Sequence, residues 1–100
     1  MNFVNSKFKH SFEVVAQKFL SKLKYGELLV KFPSGTVKKF KGINGDQKAD
    51  LIINNYKFVS KILKRESVGF AESYMDGDFS SSNLTNLLLL AFRNENYFLE

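Results

Sequence analysis

The single proline of this chain, Pro33, stands directly after an alternating run and directly before Ser34-Gly35. Leu28, Val30 and Phe32 occupy every second position, the period of a strand with one buried face. Proline presets φ for the first corner of a tight turn, and glycine tolerates the positive φ that completes it. Glu27–Phe32 is therefore committed to a β-hairpin, with Thr36–Lys41 as the returning strand. Val37 and Phe40 are out of phase there, which predicts a bulge or a shifted register. After a second turn at Gly42–Asp46, Lys48–Asn54 carries Leu51-Ile52-Ile53, a β-branched third strand.

Helical periodicity flanks this β region. Phe8, Phe12, Val15, Ala16, Phe19, Leu20 and Leu23 recur at i, i+3, i+4, i+7 and predict a helix over 8–24, with Gly26 as its left-handed cap. Asn54 or Asn55 caps a second helix running to about Arg65, with Phe58, Val59, Ile62 and Leu63 inward. Ser67–Met75 reads as a short third helix, and Ser81 or Ser82 caps a fourth that ends at Arg93. The order is α-β-β-β-α-α-α, an α+β domain whose helices cover a small antiparallel three-stranded sheet. With 100 residues, 44% of them hydrophobic and eleven of them Phe, the chain fits one domain around one core. The last helix carries a surplus. Leu84, Leu87, Leu88, Ala91 and Phe92 complete a core face, so Leu89 and Leu90 call for a cover from a following domain, a second copy or lipid.

Catalytic chemistry is hard to place. There is no Cys, which removes disulfides, thiolate metal sites and cysteine nucleophiles and suits a cytosolic compartment. His10 stands alone. Asp76, Asp78 and Ser80 echo a calcium loop, but Ser81 replaces its glycine and Leu87 its bidentate glutamate. Glu72 and Asp76 lie one helical turn apart, as capping or ion-pairing carboxylates without a partner base. No glycine-rich phosphate cradle is visible. No catalytic, cofactor-binding or metal-ligating residue is assigned. No apolar run reaches the ~18–20 residues of a membrane span, and Lys7, Lys9 and His10 interrupt any signal-peptide pattern.

The net charge is +5, and its excess sits at one end. Residues 1–24 hold Lys7, Lys9, Lys18, Lys22 and Lys24 against Glu13 alone. Phe8, Phe12 and Phe19 beside Lys7, Lys18, Lys22 and Lys24 give the composition of a helix lying on anionic phospholipid. A second basic stretch interleaves Lys31, Phe32, Lys38, Lys39, Phe40 and Lys41, superficially like the first strand of cold-shock domains that bind single-stranded nucleic acid. The partner strand and closed barrel of those domains are missing, so this reading ranks last.

The segment Gly69-Phe70-Ala71-Glu72-Ser73-Tyr74-Met75-Asp76-Gly77 resembles the G-x-x-E-[SA]-Y-M-D-G signature of the N-terminal region of cyclopropane-fatty-acyl-phospholipid synthases. Gly26-Glu27-Leu28 followed by Pro33-Ser34-Gly35 is similar to that family's hairpin, and Asn83-Leu84 with Leu87–Leu90 to its leucine-rich helix. The likeness covers most of residues 20–95. It implies an accessory domain, sterol-carrier-like in outline, occupying residues 1–100 ahead of a catalytic domain that follows. In that family the catalytic domain uses S-adenosylmethionine to modify unsaturated acyl chains of membrane phospholipids. The resemblance thus implies a non-catalytic lipid-docking role at the inner face of the membrane, with no cofactor in this chain. Gly69, Glu72, Ser73, Tyr74, Met75, Asp76 and Gly77 are expected to serve structure, as packing and turn residues. Asp78 departs from relatives that carry an aromatic there, with Phe79 as a substitute. The other class of function is a stand-alone interaction or dimerisation module built on the leucine-rich helix.

Overall fold

The structure, a computed structural model, describes residues 13–43 and 46–98. A first helix, α1, is described over 13–20. It is followed by strands β1 (Glu27–Lys31), β2 (Val37–Lys41) and β3 (Lys48–Ile53). Helix α2 (Lys57–Met75), strand β4 (Phe79–Ser80) and helices α3 (Leu84–Arg93) and α4 (Glu95–Phe98) complete the chain. The α+β expectation holds. The three-stranded antiparallel sheet does not: the sheet has four strands in the order β2-β1-β3-β4 and is mixed.

The hairpin forms as its turn chemistry requires, β1 and β2 pairing antiparallel from Glu27↔Lys41 to Lys31↔Val37. No bulge is needed. Phe40 opposes the inward Leu28, while Val37 opposes Lys31 on the other face. β3 runs parallel to β1, with Glu27↔Lys48 through Lys31↔Ile52. The reason lies in where β2 ends and β3 begins. β2 ends beside the start of β1, and the connection steps past that start, a distance of about two strand spacings. It re-enters from the same end, so β3 copies the direction of β1. Backbone bonds hold the crossing: Ile43 N–H to the Lys24 carbonyl at 2.7 Å and Glu27 N–H to the Gln47 carbonyl at 2.8 Å. Gly26, at φ 81°, is obligatory here, because a side chain would meet Leu90 and the Gln47 carbonyl. β4 was missed because two residues carry no period. It pairs antiparallel through Ile52↔Ser80 and Ile53↔Phe79.

Leu28, Val30, Leu51 and Ile53 point to one face of the sheet, where Ala16, Leu20 and Leu23, with Phe58, Phe79, Leu87 and Leu90, complete the core. Val15 was expected in that stripe but is 40% exposed.

The leucine-rich helix sits in a different rotational phase from the one expected. Leu87 and Leu90 are buried, Leu84, Leu88 and Ala91 half-buried, and Leu89 and Phe92 exposed. Asn94 sets that phase. Its side chain is fully buried; Oδ1 accepts the N–H groups of Lys24 and Tyr25, both at 2.8 Å, and Nδ2 donates to the carbonyls of Tyr25 and Leu90. Asn94 must face the α1–β1 junction, which brings Leu87 and Leu90 inward with it and turns Phe92 out. At the other end Asn83, not Ser81 or Ser82, is the N-cap, its side chain accepting Asn86 N–H. Ser81 and Ser82 serve Asp50 instead. Both hydroxyls and the Ser82 N–H donate to its Oδ1. Burial pushes the Asp50 carboxyl up, but those three donors outweigh it and hold its pKa below the ordinary value.

Candidate functional site

Two helices were expected between Asn55 and Met75; the structure has one helix with two limbs. A straight helix advances ~1.5 Å per residue, which would leave Lys61 more than 20 Å from Asp76. Yet Lys61 Nζ donates to Asp76 Oδ2 at 2.6 Å and to Asp78 Oδ2 at 2.7 Å. The second limb folds back on the first, and Gly69 is where they touch. A Cβ at Gly69 would overlap the carbonyl oxygen of Lys61. Arg65 Nη1 reaches both carboxylate oxygens of Glu72 across the same gap, at 2.9 and 2.8 Å.

Asp78 closes this node. It is 2% exposed. Oδ1 accepts Asn55 Nδ2 at 2.9 Å, and its carbonyl accepts the Asn54 and Asn55 N–H groups. Burial raises the Asp78 pKa, and the bonds from Lys61 and Asn55 with the charges of Lys61 and Lys57 outweigh it, so the net shift is downward. The bonds to Asp76 and Asp78 raise that of Lys61 in return. The carboxylate of Asp78 is a strut between the β3–α2 loop and the end of α2, and Phe79, offered as an aromatic substitute at this spot, is core at 2% exposure.

The fold-back leaves a space. Between the second limb of α2, α3 and the end of α1 runs a groove of about 550 Å³. Leu28, Leu51 and Phe79 line it from the sheet side. Phe70, Ala71, Tyr74 and Met75 of α2 form one wall, and Leu84, Leu88 and Phe92 of α3 the other. At one end Phe19 stacks on Phe98, ring centroids 5.1 Å apart. Glu95 is the one charged residue along it among the described residues. The lips are exposed and apolar: Met75 is 75%, Phe92 65% and Tyr74 48% accessible.

A family described as a domain of unknown function (DUF7884) matches residues 15–100. The chain belongs to that family. No curated protein and no solved structure matches. The family therefore spans α1 through α4, so the groove and the node that shapes it lie within the matched residues.

The expected site residues divide accordingly. Lys7, Phe8 and Phe12 lie outside the described residues. Lys18 is exposed on α1 and Lys22 in the turn that follows it. Phe19 is half-buried in its stack with Phe98 and lines the groove, so it faces inward rather than outward. Lys24 Nζ lies 4.6 Å from the centre of the Tyr97 ring and 5.9 Å from that of Tyr25. Leu89 is 54% exposed, whereas Leu90, offered with it as an outer surface, is 1% exposed and belongs to the core. In the Gly69–Gly77 segment Glu72 and Asp76 bind the first limb, Tyr74 and Met75 face the groove, and Ser73 is fully buried. The interleaved aromatics of the hairpin are not displayed: Phe32 is 1% exposed and Phe40 packs on the core. The groove itself was not legible, since its walls are ordinary apolar residues; Gly69 was the one local sign of a close helix approach.

Proposed function

We propose that this chain is a non-catalytic, lipid-docking domain of a cyclopropane-fatty-acyl-phospholipid synthase. The observation that carries the reading is the groove with exposed apolar lips. A polar partner gains nothing from Met75, Phe92 and Tyr74, whereas a membrane interior gains their burial. Helix geometry adds charge beside it. At 100° per residue, Phe19, Val15 and Lys18 follow one another around α1 from the groove outward, and Lys22 is exposed in the turn that follows, so exposed cations flank an apolar edge. In this reading the domain rests peripherally on the inner face of the membrane. S-adenosylmethionine and the reacting groups belong to a separate catalytic domain, and this chain alone transfers no methyl group. The reading also takes the domain as sterol-carrier-like in outline, and what supports this is helices over one face of a sheet beside an apolar groove. No helix among the described residues is long and apolar enough to cross a bilayer, which agrees with peripheral contact.

Vesicle flotation tests it. The chain should float with phosphatidylglycerol vesicles and not with phosphatidylcholine, less so as salt rises. Each lysine near an anionic surface contributes ~1 kcal/mol, so Lys18→Gln with Lys22→Gln should weaken binding roughly 30-fold. Equal absence of binding to both vesicles refutes the reading. A second reading is favoured by Leu89 and Phe92, exposed side by side on α3: a homodimer through that helix. Sedimentation showing a tight dimer that Phe92→Ser breaks, with no vesicle binding, would select it.

A further inference from the structure

The occupant of the groove can be narrowed further. Its volume of about 550 Å³ falls within the ~300–1,000 Å³ of small-ligand sites. A helix with its side chains is ~10 Å across and ~5.4 Å long per turn, so the groove holds little more than one turn of a protein helix. A thin, extended molecule fits better. Among the described residues the interior offers it no hydrogen-bonding partner: apart from the Tyr74 hydroxyl at the lip and Glu95, every lining side chain is hydrocarbon or thioether. A ligand group with polar atoms would lose its water there and find no replacement. The walls left unfilled lose their dispersion contacts as well.

We infer that the groove takes one acyl chain of a phospholipid, drawn out of the bilayer between Met75 and Phe92. This rests on the lipid-docking reading above. Glu95 argues for the phospholipid over a free fatty acid. A fatty acid would bring its carboxylate to a mouth whose one charge among the described residues is negative, whereas a phospholipid leaves an uncharged ester there and its phosphate farther out. The Gly69–Gly77 segment then acquires a ligand-facing side. Phe70 and Tyr74 touch the chain, and Glu72 and Asp76, on the opposite side, hold the limb that carries them.

The test uses phosphatidylglycerol vesicles containing phosphatidylglycerol with a photoactivatable diazirine in mid-chain, the intact chain, and peptide mapping of the crosslinks. Label is expected on Phe58, Leu84 and Leu87, inside the groove. Ala71→Trp and Ala91→Trp, which fill it from its walls, should lower the interior label of the vesicle-bound chain at least tenfold. Label confined to Tyr74, Met75 and Phe92 overturns the inference, because the chain then stays at the lips. So does flotation without any label, and in both cases the docking reading survives. Interior label from mixed micelles without flotation on vesicles has the opposite meaning: the groove takes an acyl chain, but docking falls and with it the drawing of that chain from a bilayer. A diazirine fatty acid that labels the interior and displaces the phospholipid overturns the choice of ligand. Mapping on the unaltered chain decides the matter even if either tryptophan variant fails to fold.

Discussion

Replacing Asn94 with alanine is the sharpest test of how this fold is held. The side chain is fully buried and makes four bonds to three different places in the chain, all between 2.8 and 3.0 Å. Asn94→Ala strands the N–H groups of Lys24 and Tyr25 and the Tyr25 carbonyl. The Leu90 carbonyl keeps a partner, since the Asn94 backbone N–H also donates to it at 3.2 Å. An unsatisfied buried group costs about 1–3 kcal/mol. Lys24 and Tyr25 are only half-buried, so water recovers part of the loss and the low end applies to each of the three. The sum is about 3 kcal/mol, a large share of the stability of a domain this size. It corresponds to a fall in Tm of about 15 °C.

Urea unfolding followed by circular dichroism reads this as a shift in midpoint at constant slope. The loss should be shared with α3: its amide exchange should accelerate first, because Asn94 sets its rotation. A loss under 1 kcal/mol would refute the reasoning. It would mean that the Leu87–Leu90 contacts alone seat the helix and that Asn94 merely follows.

Gly69→Ala should destabilise by about 2 kcal/mol, the cost of forced overpacking, although helix propensity alone predicts a gain of about 1; a stabilised variant in thermal melts would show that the limbs do not touch. Asn83→Ala removes the α3 N-cap and should cost about 1 kcal/mol by urea titration; no loss would mean that Asn86 N–H is satisfied by solvent. The Asp78 carboxyl is depressed in the folded state, so its contribution is complete above the ordinary carboxylate pKa of ~4 and disappears as pH falls through the lower folded value. Asp78→Asn should therefore flatten the acid limb of the stability curve below about pH 4, and an unchanged limb in acid titrations would assign it to Asp50 instead.

What the sequence disclosed follows from how local each signal is. The hairpin was legible because alternation and Pro33-Ser34-Gly35 are decided within a dozen neighbouring residues. The neighbour of β3 was not, because it depends on whether the chain re-enters beside β2 or beyond β1, a choice stabilised by the bonds that Ile43 N–H makes to the Lys24 carbonyl and Glu27 N–H to the Gln47 carbonyl. The phase of α3 was misjudged for a related reason. A leucine on nearly every turn position gives several equivalent apolar faces, and a polar residue beyond the helix end breaks the tie. Polar residues buried far from any charge pattern, such as Asn94, carry no sequence signal until their partners are known. The groove is further still from the sequence, since it exists only because α2 doubles back.

That doubling back identifies what the Gly69–Gly77 segment does. Its exposed ion pairs cannot hold the limb by themselves: Asp76 is 61% and Arg65 57% accessible at the side chain, and such surface pairs contribute ~0–1 kcal/mol. The buried partner is Asp78, one residue past the segment, whose carboxylate sees Lys61 and Asn55 and whose backbone takes N–H groups from Asn54 and Asn55. The strength of the fold-back therefore lies in Asp78, its closeness in Gly69, and its usable surface in Phe70 and Tyr74. Charge reversal at Glu72 should leave the groove almost intact, while Asp78→Asn should loosen it. If crosslinking of the labelled chain falls equally in both variants, the wall is held by the surface pairs after all, and the buried node is not what positions it.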